Sequence, residues 1–249
     1  MAEGTPRYRR VLIKVSGSAV AGDEGGGVSS KALDHIGNQI LAVRELGVEV
    51  AVVTGGGNIF RGNVAEEWGI DRVEADHIGM LGTVINSLFV RGVLTAKSSH
   101  DVRVMTALPM SNFAEPYIRL RATRHLERGA IVVLACGIGQ PFVTTDYTCV
   151  QRALEIKADA ILLAKDGIDG IYTSDPNQDA GAKRYESVTY DDAISNNLKV
   201  MDQSAFVLAR DYGAPLHVFN FDDEGVMAAI CNGENVGTHL APGVKTILA

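Results

Sequence analysis

The run Val52-Val53-Thr54-Gly55-Gly56-Gly57-Asn58-Ile59-Phe60-Arg61-Gly62 constrains this chain more than any other. A β-branched stretch, typical of a buried strand, leads straight into three consecutive glycines. Without a Cβ the backbone can come close to a ligand. One glycine would serve a plain turn between strand and helix. Three, followed by an arginine, favour a loop whose backbone N–H groups hold an anion together with a helix N-terminus. Arg61 adds a planar fork suited to phosphate. The spacing excludes two familiar phosphate loops. A P-loop closes with Gly-Lys-Ser/Thr, and Arg61-Gly62-Asn63 stands here. The dinucleotide fingerprint needs glycines at its first, third and sixth positions, and Gly55, Gly57 and Phe60 fail at the last.

The rest of the chain alternates strand-like and helix-like segments. Arg10 to Gly17 reads as a buried strand, followed by a Gly-rich loop over 21–27. Ser29 or Ser30 caps a helix closed by Gly47. Val48 to Thr54 is the second strand. Asp76 to Lys97 reads as a long, largely apolar helix packed on several sides. Strands over 102–107, 130–136, 160–164 and 216–221 alternate with helices over 115–128, 144–158, 199–212 and 224–231. This order predicts an α/β chain: a mainly parallel central sheet with helices on both faces, a three-layer α/β/α sandwich. The 249 residues show no repeat, low-complexity tract or clear linker.

Composition narrows the chemistry. A formal net charge of −7 disfavours broad nucleic-acid binding, which needs a basic face. Cys136, Cys149 and Cys231 lack metal-ligand spacing, and their odd number argues against a disulfide framework, so a reducing cytoplasm is expected. The segment from Met1 to Arg10 has no secretory apolar core. No apolar run approaches the roughly 20 residues of a spanning helix, so no membrane role is expected.

Ligands of such sheets sit beyond the carboxyl ends of the strands. Five polar clusters follow strand-like runs: Lys14-Val15-Ser16-Gly17, Gly55 to Arg61, Gly137 to Asp146, Lys165 to Asp175, and Asn220 to Asp223. Four of them can converge on one crevice. Lys14 lies inside an apolar strand, where an ammonium needs a partner or must snorkel. Lys165 has the same setting, and two lysines so placed suggest two cations on one polyanion. Asp146 fits a first-turn carboxylate behind Thr144-Thr145. Asp202 fits either a first-turn carboxylate or a catalytic one. Asp76 fits either a helix cap or a partner for a sugar hydroxyl. His77, which opens the long helix in this reading, is assigned a structural role. A metal held mainly by carboxylate and phosphate oxygens would suit Mg²⁺.

These motifs together resemble the bacterial uridylate kinases of the amino acid kinase superfamily. The resemblance runs collinearly from about Arg10 to about Ala241. It is carried by Lys14-Val15-Ser16-Gly17, Gly55 to Gly62, Asp76-His77-Ile78-Gly79-Met80-Leu81, and Gly137-x-Gly139-x-Pro141-Phe142-x-Thr144-Thr145-Asp146. Asp169-Gly170-Ile171-Tyr172 with Asp175-Pro176, and Leu198-Lys199-Val200-Met201-Asp202, complete it. The resemblance implies one amino acid kinase domain over 1–249, with an acceptor side at about 10–150 and an ATP side at about 151–245. It implies phosphoryl transfer from ATP to UMP with Mg²⁺, in pyrimidine nucleotide biosynthesis. Lys14 and Gly17 would contact the transferring phosphoryl, and Ser16 would join them in binding ATP. Gly56, Gly57, Arg61, Asp76, Ile138 and Thr145 would hold UMP, with Asp76 on the ribose. Lys165, Tyr172 and Asp175 would serve ATP, and Asp202 would orient the catalytic lysine and metal. Family members are commonly homohexamers, activated by GTP and inhibited by UTP.

Three residues depart from the family pattern. Ser18 stands where Glu is usual, and Ile138 and Gln140 replace a frequent Thr and Asn. Two alternatives to a UMP kinase therefore stay open: a related kinase with another acceptor, and a nucleotide-sensing paralogue without turnover. A phosphorylated acceptor is already an anionic nucleophile, so the reaction needs alignment and charge neutralisation rather than a general base.

Overall fold

The computed structural model describes residues 5–22, 26–61, 65 and 67–249. Gly62 and Asn63 of the glycine segment, and part of the loop expected at 21–27, lie outside the described residues. Along the chain the strands are β1 (Arg10–Val15), β2 (Glu49–Thr54), β3 (Val102–Thr106), β4 (Glu115–Pro116) and β5 (Ile131–Ala135), then β6 (Ala160–Lys165), β7 (Tyr185–Ser187), β8 (Leu216–Asn220), β9 (Thr238–Leu240) and β10 (Ile247–Leu248). The helices with described bounds are α1 (Gly17–Ala21), α2 (Ser30–Glu45), α3 (Arg72–Lys97), α4 (Arg119–Glu127), α5 (Thr145–Ile156), α6 (Tyr190–Ser195), α7 (Gln203–Tyr212) and α8 (Val226–Cys231).

The described strands join one sheet in the order β10-β7-β9-β8-β6-β1-β2-β5-β3-β4. Pairing is parallel except for β8 with β9 and β10 with β7. The chain leaves β1 to one side for β2 and reaches β6 on the other. That reversal opens a crevice at the carboxyl end of β1, where ligands of such sheets bind.

Alternation along each strand builds the three layers. Val11, Ile13 and Val15 of β1 join Val50 and Val52 of β2 in one core, with Ile36 and Ile40 of α2, Val84 and Leu94 of α3, and Met227 of α8. Leu12 of β1 joins Ala51, Val53, Ile161 and Leu163 in the opposite core, with Leu126 of α4, Val150 and Ile156 of α5, and Phe206 of α7. Successive side chains of a strand face opposite ways, so a doubly covered sheet reads as a continuous apolar run.

Several boundaries differ from the sequence expectation. α3 begins at Arg72, because Asp71 caps it by accepting Val73 N at 3.0 Å. Asp76 therefore lies in the second turn and does not cap the helix, and His77 does not open it. The helix expected from Glu115 starts only at Arg119, after the short strand β4. Pro116 has no N–H to give a helix and keeps its predecessor extended. The helix expected from Lys199 starts at Gln203, with Asp202 at its N-cap position. α3 also corrects the statement about apolar runs: its 26 residues are long and apolar enough to cross a membrane. Here its Val84, Val90 and Leu94 pack on the sheet, and its Asn86 and Ser87 are buried among hydrogen-bond partners.

Candidate active site

Strand parity decides where the two lysines go. Lys14 follows Leu12 on the α5 side of β1, and Lys165 follows Leu163 on the same side of β6. Both sit at the carboxyl ends of neighbouring strands. Lys14 is nearly buried, and its Nζ lies 2.8 Å from Asp146 Oδ1 in the first turn of α5. The Lys165 ammonium is held below its usual pKa, first by burial and then by the nearby Lys14 charge, with Asp146 and Asp202 opposing. Two cations pressed together this way favour an arriving polyanion, because phosphate oxygens would relieve their mutual repulsion. Beneath them, burial followed by the Asp146 charge pushes the Cys149 thiol up to about 12, so it stays neutral.

Thr144 ties this cluster to α7. Its hydroxyl accepts from Asp146 N at 3.2 Å and Tyr147 N at 3.4 Å, the capping pattern of a helix start, and donates to Asp202 Oδ2. A carboxylate at the N-cap position of α7 is thereby aimed back at the start of α5.

The glycine loop is set by close approach. A Cβ on Gly56 would stand 2.5 Å from Gly79 O of α3, and one on Gly17 would stand 2.6 Å from Gly57 N. Both are below any real Cβ contact, so a side chain at either position would push the loop off its neighbour. Among the described residues nothing lies within 4 Å of a Cβ built on Gly57, so this side of the loop is open to an incoming ligand. Arg61 is exposed and its Nε donates to Gly57 O at 3.1 Å, which curls the guanidinium over the loop.

A cavity of about 150 Å³ opens beside this loop, lined by Gly56, Gly57, Asp76, Thr83, Gly137 and Thr145. Asp76 rims it. Its Oδ1 accepts from Arg72 Nε at 3.0 Å and its Oδ2 from Phe142 N at 2.7 Å, which fastens the loop after β5 to α3. A second cavity of about 350 Å³ is lined by Ile168, Tyr172, Asp175, Pro176, Asn196 and Lys199. Tyr172 Oη donates to Asp169 Oδ1 at 2.7 Å, and Asp175 caps its own turn by accepting from Asn177 N at 2.9 Å. An open groove lined by Asp146, Lys199 and Asp202 adjoins it.

The Amino acid kinase family profile matches residues 9–220. The chain belongs to the amino acid kinase family. Uridylate kinase of Frankia alni is 61% identical over 232 residues, covering 93% of this chain and 91% of the relative. Uridylate kinase of Frankia casuarinae is likewise 61% identical, over 93% of this chain and 90% of its own length. Among solved structures, UMP kinase from Bacillus anthracis superposes with a TM-score of 0.95 at 58% identity, covering 97% of this chain and 99% of that one. UMP kinase from Ureaplasma parvum gives 0.88 at 30% identity, covering 94% and 99%.

Within this amino acid kinase fold, the expected residues fall into three groups. Lys14, Lys165 and Asp202 converge on the start of α5. Gly56, Gly57, Asp76 and Thr145 line the smaller cavity, and Tyr172 and Asp175 the larger. Ser16 caps α1 by accepting from Ala19 N at 3.1 Å, and its hydroxyl lies 2.8 Å from that of Ser18. Ile138 and Gln140 stand outside the lining of the smaller cavity, which takes Gly137 and Val143 from their loop. Asp146 carries more than its sequence position suggested. A first-turn carboxylate looks like helix chemistry alone until β1 and α5 are packed together. Thr83 was also missed: its Oγ1 accepts from Cys136 N at 2.8 Å and steers the loop after β5. The signal was a small and polar stripe, Gly79, Gly82, Thr83, Asn86 and Ser87, inside an apolar helix.

Proposed function

We propose that this protein is a UMP kinase that transfers the γ-phosphoryl of ATP to UMP, giving ADP and UDP. One observation carries the reading. Lys14 pairs with Asp146, and Lys165 feels the charges of Lys14, Asp146 and Asp202; Asp146 and Asp202 line the groove that shares Leu198 and Lys199 with the larger cavity, and Thr144 and Thr145, next to Asp146 in the chain, line the smaller one. Two anionic ligands entering those cavities would meet at the two ammonium groups.

On this reading the smaller cavity takes UMP. Gly56 and Gly57 offer backbone N–H groups to its phosphate, Arg61 grips the same phosphate, Asp76 meets the ribose, and Thr145 lies on the acceptor side, whereas Ile138 stands outside this cavity's lining. The larger cavity takes the adenosine of ATP beside Tyr172 and Asp175. Lys14, Ser16 and Gly17 hold the transferring phosphoryl, Lys165 neutralises charge that grows in the transition state, and Asp202 orients the cations. The UMP phosphate oxygen attacks the γ-phosphorus and the bond to the β-bridging oxygen breaks, so no residue must take a proton. The described residues hold no cluster of three or more metal-binding side chains. Asp146 and Asp202 fit the alternative donor set, one or two carboxylates completed by substrate phosphates and water, which suits Mg²⁺. Bound there, that ion would supply charge neutralisation.

A homohexamer under GTP and UTP control, acting in the cytoplasm, completes the proposal. Leu81, Ile85 and Phe89 form an exposed apolar stripe along α3, as an interface between copies requires. The test is a coupled ADP-release assay over UMP, CMP, dUMP and non-nucleotide acceptors. UMP should give the highest kcat/KM, with modest discrimination against CMP and dUMP. Bound ATP with no turnover of any nucleoside monophosphate would refute it.

A further inference from the structure

Under the glycine loop lies a buried polar arrangement that the phosphate chemistry does not use. Asn86 of α3 is wholly buried, and Asn58, which follows the triple glycine, is 7% exposed. Their side-chain amides face each other. Asn86 Nδ2 donates to Asn58 Oδ1 at 2.7 Å, and Asn58 Nδ2 donates back to Asn86 Oδ1 at 3.1 Å. Each amide also has a backbone acceptor: Asn86 Nδ2 donates to Gly55 O at 2.7 Å, and Asn58 Nδ2 to Gly27 O. Those two carbonyls fix which end of each amide is nitrogen. Every side-chain N–H of the pair is thus used.

Asn58 touches three segments at once. Its backbone carbonyl accepts from Gly27 N at 3.0 Å, at the approach to α2. On its other side, a Cβ on Gly17 would lie 2.8 Å from Asn58 N and 2.9 Å from Asn58 Oδ1. The loop after β1 and the loop after β2 therefore meet at this residue. A closed amide pair is not needed for core stability, since two apolar groups of the same shape can serve as well. A fully satisfied polar network instead fixes orientation.

We propose that Asn58 and Asn86 are positioning residues: their reciprocal amide pair sets the distance between the acceptor-phosphate loop and Gly17, and so aligns the acceptor with the transferring phosphoryl. The inference rests on the UMP kinase reading. Lys165 and the larger cavity lie outside the pair's reach, so ATP recognition should be spared.

Steady-state kinetics of wild type, Asn58→Ala, Asn86→Ala and the double variant test this, with UMP and ATP varied separately. Each single variant should lower kcat/KM for UMP by about tenfold or more, the scale of one broken buried hydrogen bond, with KM for ATP within about twofold of wild type. The double variant should match the worse single one, because the two amides act as a unit. Multiplying effects, a KM for ATP raised well beyond twofold, or unchanged UMP kinetics would each overturn the proposal. Should Asn86→Ala not fold, the UMP-against-ATP split in Asn58→Ala decides alone. Wild type in the same assay tests the underlying reading. An inactive wild type removes UMP as acceptor, whereas an active wild type with indifferent variants removes only the positioning role.

Discussion

Replacing Asp146 by Asn changes one charge and almost no volume, so it isolates what that carboxylate does for the lysines. Asp146 Oδ1 lies 2.8 Å from Lys14 Nζ, and the two side chains are 18% and 9% exposed. Removing one partner of a buried pair typically costs about 3–5 kcal/mol, because the remaining charge is left uncompensated. The partial exposure of Asp146 and the nearby Asp202 place the expectation at the low end, about 3 kcal/mol in the free protein. ATP should offset much of that loss, since its phosphates supply the missing negative charge. If the deficit falls to about 1 kcal/mol with ATP bound, linkage requires the variant to bind ATP about 30-fold more tightly than wild type. Urea unfolding with and without ATP, in EDTA to remove any metal contribution, measures both quantities. A deficit under about 1 kcal/mol without ATP, or one that ATP leaves unchanged, would refute the account of Asp146 as the counter-ion of a polyanion site.

Other changes probe separate parts of the machinery. Asp202→Asn should fold and bind ATP yet lose on the order of 10²-fold or more in kcat, as removal of one preorganised electrostatic partner does; near-wild-type turnover would take Asp202 off the catalytic list. Arg61→Ala should weaken UMP by very roughly 1.5–3 kcal/mol while sparing ATP, since it lies on the acceptor loop; calorimetry showing equal losses would contradict that placement. His217 is buried against Tyr8 Oη at 2.7 Å and stacks on His239 at 4.4 Å. Burial, then the His239 charge, lowers its pKa from 6.5 to about 3. The unfolded chain therefore binds this proton first, and the stability contribution, complete above pH 6.5, is lost as pH falls toward about 3, by at most about 5 kcal/mol. His217→Phe should flatten the acid limb of the urea midpoint between pH 7 and pH 4, and a wild-type slope in the variant would exclude His217 as its source.

Much of this was legible in the sequence because strands that are buried on both faces are continuous apolar runs. Val11 to Val15, Val50 to Val53 and Ile161 to Ala164 announce themselves, and their order with the helices between them dictates a mainly parallel sheet. The triple glycine was equally legible as a run, but its reasons were not: the fold ties Gly55 and Gly56 to close packing, against Gly17 N and Gly79 O. Elements decided by a few residues were not. β7, β9 and β10 are two or three residues long, and their pairing depends on edges built by the rest of the sheet. The start of α3 moved because Asp71, not Asp76, reaches a free N–H.

The sequence alone determined which residues carry charge at strand ends: Lys14, Lys165, the glycines and the carboxylates after them. It could not determine which carboxylate answers which lysine. That was decided by tertiary structure, through the parity that turns Lys14 and Lys165 toward α5 and through the packing that brings Asp146 within 2.8 Å of Lys14. The Asn58–Asn86 pair is decided in the same way, since 28 residues separate its members along the chain. Local sequence sets periodicity, caps and turns through neighbours a few bonds away. Partners across the chain are chosen by which faces bury each other, and only the folded sheet with its two helix layers fixes that.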